Sequence, residues 1–394
     1  MVGFGFLAAL MAITAIGPMS LTIFIPALPA VQAEFASDVQ YVQMTLSLPL
    51  LAVIVAPPIA GGVCDRVGRR PVVLASLLIL VISCGVCIAA PNLMTLVIGR
   101  IVVGVSGTCA LIVARAIVRD VYDAENLSKA MAKFSIAPVV TILLAPSIGG
   151  LITDTLGWRG VFWFLSAASM LTLAMAFFLL RETLTVSDTE VTKSETKAAW
   201  RKLTRSVVFW GYTWQSVFHF AAAVGFVAAA PYLMVNVLGH GALDYGIGLV
   251  VVVLGMLAGV LMAGRLTQTL SIPMLVMIGC VLCVIANLVL PGLLVSKVAG
   301  LSAVLLFGST ALVAVGIGFA MPASQAGIVG TVPELSGTAS GISSCLQMIM
   351  AAVFSHLVAL PWDRPALALG LISLAAMTLA LAFSAVSLSA SRAR

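Results

Sequence analysis

The sequence predicts an all-α integral membrane protein, with twelve transmembrane helices in two pseudo-symmetric six-helix bundles. Three observations predict it. Of 394 residues, 62% are hydrophobic and only 9% charged, whereas soluble domains carry roughly a quarter charged residues. The charges are spaced so as to leave twelve long apolar stretches, each near the roughly 20 residues that a helix needs to cross the hydrocarbon. One polar interval, residues 181–205, divides those stretches six and six, the layout of a chain built from two related bundles.

Taken in order, stretches without Asp, Glu, Lys or Arg run from Phe4 to Leu28, Val39 to Gly62 and Pro71 to Ala90. The fourth, Leu93 to Ala114, is apolar except for Arg100, and Phe134 to Thr153 and Gly160 to Leu180 complete the first half. The second half comprises Ser206 to Leu238, Tyr245 to Gly264, Ile272 to Pro291, Ala299 to Met321, Leu335 to Leu360 and Pro365 to Ser391. Helix is the expected conformation, because backbone polar groups in lipid must be satisfied within the segment. The first stretch has no basic residues ahead of it and is longer than a leader's apolar region, so it is read as a permanent span, with a short basic tail expected before it. The expected organisation is a bundle over 1–180, a cytoplasmic linker over 181–205 and a bundle over 206–394.

Charge sets the expected orientation. With the N-terminus inside, sixteen of the twenty Lys and Arg fall in inner loops and only Arg159, Lys297 and Arg364 in outer ones. Inner loops of membrane proteins are enriched in this way, so both termini are expected in the cytoplasm. The same bias accounts for the net charge of +6 without a nucleic-acid partner. The seven cysteines form no disulfide framework: Cys64 borders a loop, and the rest lie in apolar stretches. Cys84–Cys87 and Cys280–Cys283 share helix faces and could bind a soft metal. With no His or carboxylate near either pair in sequence, they read as small packing residues, and no metal or cofactor is expected.

The densest motif is Gly61-Gly62-Val63-Cys64-Asp65-Arg66-Val67-Gly68-Arg69-Arg70, between the second and third stretches. Glycine suits a tight turn and arginine the inner surface, but a plain basic loop does not require Asp65 in that fixed order. This loop resembles the signature of the major facilitator superfamily. Ile25-Pro26-Ala27-Leu28-Pro29, Val42-Gln43-Met44-Thr45-Leu46-Ser47, Arg119-Asp120-Val121-Tyr122, Ala145-Pro146-Ser147-Ile148-Gly149-Gly150, Trp158-Arg159 and Gly337-Thr338-Ala339-Ser340 extend the resemblance to the bicyclomycin/chloramphenicol-resistance branch of drug exporters. It covers nearly the whole chain and is looser in the second half. It implies the facilitator fold, a bacterial inner-membrane location, small-molecule cargo, protons as coupling ion and a functional monomer. It further implies a cytoplasmic gate of Gly61, Asp65, Arg66, Gly68, Arg69, Arg70, Arg119 and Asp120, with the start of the eleventh helix offered to Asp65. Pro146, Gly149 and Gly150 match the antiporter motif, although Ala145 stands where the family usually has glycine.

Within the spans, Arg100 is the costliest residue, at about 2.5–3.5 kcal/mol even on lenient insertion scales. It is expected to face a polar interior rather than snorkel to the surface. Relatives usually carry an acid in the first helix where this chain has Thr22, and no Asp or Glu lies in any apolar stretch. Proton coupling then falls to His219, whose imidazole titrates near neutral pH. Thr22, Gln43, Thr141, Trp214 and Gln347 add hydrogen-bonding groups and, with Arg100 and His219, make up the expected substrate cavity. Each could equally serve helix packing.

The expected activity is export of amphipathic, drug-like molecules by alternating access, driven by proton antiport. The missing acid keeps a second reading open, a facilitator for one metabolite or siderophore without proton coupling. A remote third is an intramembrane serine protease built on Gly104-Val105-Ser106-Gly107 with His219 as base. Copper import, suggested by 17 Met and 7 Cys, lacks a Met-x-x-x-Met or His-x-x-x-Met pair in the seventh and eighth helices.

Overall fold

A computed structural model describes residues 4–121, 124–183, 201, 203–266, 269–289, 291, 302–331 and 336–392. Among them there is no strand. The helices are α1 (Phe4–Thr22), α2 (Leu28–Phe35), α3 (Val39–Ala52), α4 (Ala56–Val67), α5 (Arg69–Ile88), α6 (Leu93–Val121), α7 (Ala124–Leu156) and α8 (Trp158–Leu179), followed by α9 (Val207–Tyr232), α10 (Ala242–Leu266), α11 (Ile272–Asn287), α12 (Ala303–Thr331), α13 (Ser336–Leu357) and α14 (Pro365–Arg392). Nine helices among the described residues are long and apolar enough to cross a membrane, and three shorter apolar ones cover Val39–Val55, Val140–Leu156 and Ile272–Asn287. Together they occupy the twelve expected stretches.

Two of those stretches are not single helices, and proline is the reason. The first divides into α1 and α2 around a 3-10 turn at Ile25–Ala27, because Pro26 lacks the N–H that would continue the ladder and crowds the preceding turn. The second divides into α3 and α4 around a 3-10 turn at Val53–Val55, with Pro49 inside α3 and proline in the first turn of α4. Elsewhere the helices overrun the apolar stretches. α6 continues seven residues past Ala114 to Val121, and α12 runs ten residues past Met321 to Thr331. The end of α6 carries Arg115, Arg119 and Asp120, which a search for charge-free stretches excludes.

The chain divides into two compact units. The first comprises Met1–Ser187 with Gly239–Gly246, and the second Asp188–Leu238 with Ile247–Arg394. Most of the expected linker, 184–200 and 202, lies outside the described residues. In the first unit α6 packs on α1, α3, α4 and α5, and α8 packs on α5 and α1. Its apolar contacts include the Phe24 and Phe162 rings, 5.0 Å apart. In the second unit α9 is the hub. It is buried along most of its length and packs on α12, α13 and α14. Large apolar side chains such as Phe178 (79% exposed) and Val304 (84% exposed) point away from both cores, as lipid-facing residues of a multi-pass membrane protein do.

Side chains from distant helices finish the helix ends. Glu34, in the last turn of α2, accepts Trp158 Nε1–H at 2.6 Å and pairs with Arg159, whose guanidinium lies 4.1 Å from the Trp158 ring centre. The Trp158-Arg159 dipeptide therefore ties α8 to α2. The Asp154 carboxylate, near the end of α7, accepts the N–H groups of Ala242 (3.2 Å) and Leu243 (2.9 Å) and so caps α10. Helix-starting N–H groups have no partner inside the helix, and a carboxylate there also meets the positive end of the dipole. Asp154→Ala is expected to cost about 1 kcal/mol, read as a lowered thermal midpoint of detergent-solubilised protein. Asp154→Asn, which keeps one acceptor, should lose less.

Candidate functional site

Arg100 lies in the first unit with no exposed surface. Its Nη1 donates to the Ser20 carbonyl at 2.7 Å, its Nε to the Thr45 carbonyl at 3.3 Å and its Nη2 to the Leu21 carbonyl at 3.5 Å. The Phe24 ring covers it, 4.8 Å from the guanidinium carbon to the ring centre. These acceptors follow from the proline pattern. The helical donor for Thr45 would be residue 49, which is proline and has no N–H. Ser20 and Leu21 sit where α1 ends, between the last ladder bond, Ile23 N–H to Met19 O, and its resumption at Ala27 N–H to Phe24 O. Arg100 thus joins α1, α3 and α6 through carbonyls that the breaks set free, at the negative end of the α1 dipole.

The other cavity residues expected in this unit differ in what their polar atoms do. The Thr22 hydroxyl donates to the Pro18 carbonyl at 2.9 Å, and the Thr141 hydroxyl to Ala137 at 2.8 Å. Both are spent on their own helices. Gln43 is fully buried, and neither its Nε2 nor its Oε1 has a hydrogen-bond partner among the described residues. The Ser106 hydroxyl, the nucleophile of the protease reading, donates to the Val102 carbonyl at 2.6 Å. The cysteine pairs are buried, and Cys283 Sγ makes a weak 3.5 Å contact with the Val313 carbonyl.

In the second unit, α9 carries a fully buried polar face. His219 Nδ1 lies 2.5 Å from Gln215 Nε2, and the far end of that carboxamide meets the Ser324 hydroxyl of α12. Ser324 is also 2.9 Å from the Ala320 carbonyl. One hydroxyl proton serves one of these acceptors, and the two ends of a carboxamide are interchangeable in assignment. Gln215 can therefore donate to Nδ1 or, turned over, accept from Nδ1–H. In both arrangements His219 Nε2 has no partner among the described residues. One residue along, Ser216 meets Gln347 Nε2 at 3.3 Å and Ser343 at 3.4 Å, with Gln347 also donating to Ser343 at 3.1 Å. His219 and Gln347 thus both join α9 polar clusters. Trp214 does not: it stacks with Phe218 and Phe383, centroids 6.0 and 6.1 Å away. Gln215, Ser216, Ser324 and Ser343 were not anticipated. The i,i+4 spacings of Gln215 with His219 and Ser343 with Gln347 are the signal that could have found them.

The signature loop is only partly described: the side chains of Asp65 and Arg119 lie outside what the structure describes. Arg66 is exposed. Arg69 is buried, pairs through Nε with Asp120 at 3.0 Å and donates from Nη1 to the Cys64 carbonyl at 2.9 Å. The anchor that the motif did not reveal is Glu182. Its carboxylate accepts the N–H groups of Arg69 (2.9 Å) and Arg70 (3.1 Å), capping α5 from 112 residues away. Gly68 makes this possible. Its φ is +108°, and a Cβ there would lie 2.6 Å from Glu182 Oε2. Arg70 donates from Nη2 to the Phe177 carbonyl at 2.8 Å.

Pro146, Gly149 and Gly150 lie on α7. A Cβ on Gly149 would collide with the Ile23 carbonyl oxygen, at the α1 break, and one on Gly150 with the Ala242 carbonyl oxygen, at the α10 start. The motif glycines therefore permit backbone-to-backbone contact on two sides, as small residues do between membrane helices.

The Arg100 clamp makes a double-mutant test. Arg100→Leu is expected to destabilise by about 3 kcal/mol, since three buried carbonyls lose their donor. Pro49→Ala restores the helical donor for Thr45, so in the Arg100→Leu background it should recover about 1 kcal/mol more than in the wild type. Thermal unfolding of the four proteins measures that difference, and no coupling would disprove the assignment of the Thr45 carbonyl.

Residues 10–355 match the model of the Major Facilitator Superfamily. Among curated relatives, the chain is 27% identical over 358 residues to Multidrug resistance protein D of Escherichia coli (strain K12), covering 90% of this chain and 88% of that one. It is 25% identical over 361 residues to Multidrug resistance protein MdtL of Citrobacter koseri, covering 90% and 88%. Among solved structures, a bacterial homolog to the human lysosomal transporter Spinster, inward-facing and unoccupied, superposes with a TM-score of 0.78 at 17% identity, over 98% of this chain and 96% of that one. A D-xylose-proton symporter superposes with a TM-score of 0.77 at 14% identity, over 97% and 98%. The two structures share the fold. Arrived at independently from the spans and from the family model, the conclusion is the same: this chain is a multi-pass membrane transporter belonging to the Major Facilitator Superfamily.

Proposed function

We propose that the protein is a proton-coupled exporter of amphipathic, drug-like molecules, working by alternating access in the bacterial inner membrane as a monomer with both termini in the cytoplasm. Relatives named for multidrug resistance across nine-tenths of the chain support export. The signature loop, with Asp65, Arg66, Arg69 and Arg119, acts in this reading as the cytoplasmic gate.

The observation that carries proton coupling is the unpartnered Nε2 of His219. Of three histidines, His219 alone is fully buried. A buried polar atom without a partner costs about 1–3 kcal/mol; among the described residues of α9, Nε2 shares that state with the Thr213 and Tyr232 hydroxyls, and of these three groups only an imidazole takes up a proton. Loading a proton gives imidazolium, which needs an acceptor at both nitrogens. Gln215 supplies one by turning its Oε1 to Nδ1–H, while Ser324 accepts or donates as the amide requires. In the neutral ring Nε2 is an acceptor open to a cargo donor, whereas after protonation its N–H is left for water. Proton and cargo then compete for one nitrogen, which is the requirement for exchange. The alternative, a facilitator for one metabolite without proton coupling, is favoured by Thr22 standing where an acid would.

Two measurements test the proposal. Expression in a pump-deficient bacterial host should raise tolerance to several unrelated toxic compounds; a shift confined to one compound, or none, favours the facilitator. In reconstituted vesicles, substrate-induced proton movement should fall at least tenfold in His219→Ala, with Gln215→Leu intermediate. Unchanged proton flux in folded His219→Ala would remove His219 as the carrier.

A further inference from the structure

We infer that the cargo carries an anionic group and that Arg100 and Gln43 receive it. The inference rests on the export reading above and adds the charge class of what is exported.

The signs of the buried groups point this way. No Asp or Glu lies in any of the twelve apolar stretches. Several described acids near helix ends are already engaged, Glu34 with Arg159, Asp120 with Arg69, Asp154 and Glu182 as helix caps, and Asp244 beside His240, while Asp38 and Asp363 are exposed. Arg100 therefore keeps its full charge among neutral carbonyls and a ring face. A cation entering such spans meets like charge in a weakly screened medium, whereas an anion meets an uncompensated guanidinium.

The donors fit as well. A guanidinium offers five N–H protons, and the bonds to Ser20, Leu21 and Thr45 engage three. Gln43 stands on α3 two residues from Thr45, so it shares a helical turn with the carbonyl that Arg100 grips. Its carboxamide is fully buried with both ends unpartnered among the described residues. An oxyanion would take the remaining guanidinium protons and the Gln43 N–H, a charge-assisted donor set suited to carboxylate or sulfonate. Phe24, over the guanidinium, offers apolar contact to the rest of such a molecule.

Two xanthene dyes of similar shape and opposite charge, anionic fluorescein and cationic rhodamine 123, test this by fluorescence anisotropy on the full chain in nanodiscs. Fluorescein should bind at least tenfold more tightly than rhodamine 123. Arg100 also holds helices together and its removal can unfold the protein, so Gln43 carries the decisive variants. Gln43→Leu should weaken fluorescein about tenfold without improving rhodamine 123, and Gln43→Glu should reverse the order of the two dyes. Equal binding, tighter rhodamine 123, binding of neither dye, or a fluorescein preference untouched by both variants would overturn the inference. Should vesicles show proton-coupled export of rhodamine 123 but not fluorescein, the charge class fails while the export reading stands.

Discussion

A carbonyl left without its donor inside a membrane is the constraint around which the first unit is organised. Water cannot reach it, and the helix that should satisfy it has been interrupted by proline. This chain accepts that cost at Pro26 and Pro49 and meets it with one guanidinium. Arg100 is long enough to reach three carbonyls on two helices. It thereby converts two local defects into a junction of α1, α3 and α6. The α1 break also places the Ile23 carbonyl against Gly149 of α7, so the antiporter glycines pack on the same irregular backbone. Remove the breaks, and neither the arginine nor the glycines would have their partners.

The second unit solves a different problem with different chemistry. Its hub helix, α9, is surrounded by other helices and still carries Gln215, Ser216 and His219 on one face. Neutral hydrogen bonds to Ser324, Ser343 and Gln347 make that burial tolerable, and the Gln215 carboxamide can present either end to the imidazole. One unit is built around a fixed positive charge and the other around a neutral network with one titratable ring. The carboxylates of Glu34, Asp120, Asp154 and Glu182 sit at or near helix ends, where they cap or pair.

Much of this was legible in the amino-acid sequence, for physical reasons. A span is long, apolar and bounded by charge, so the twelve stretches stand out without any knowledge of contacts. Arg100 stands out because a cation in hydrocarbon must have a reason to be there. The division of the first two spans was less visible, although Pro26 and Pro57, at the two breaks, announce it. Glu182 and Asp154 could not be read at all. Their partners are the backbone N–H groups of Arg69, Arg70, Ala242 and Leu243, 88 to 113 residues away, and an N–H has no signature in sequence. Trp214 shows that a residue type does not name its neighbours: its indole lies against the Phe218 and Phe383 rings.

The junction at Thr45 also makes two positions answerable to each other across generations. A lineage that replaces Pro49 with a residue bearing an N–H relieves Arg100 of one of its acceptors, and a lineage that loses Arg100 gains by losing Pro49. Homologous chains should therefore tend to keep both or drop both, a pattern of joint inheritance that arises from one missing hydrogen atom.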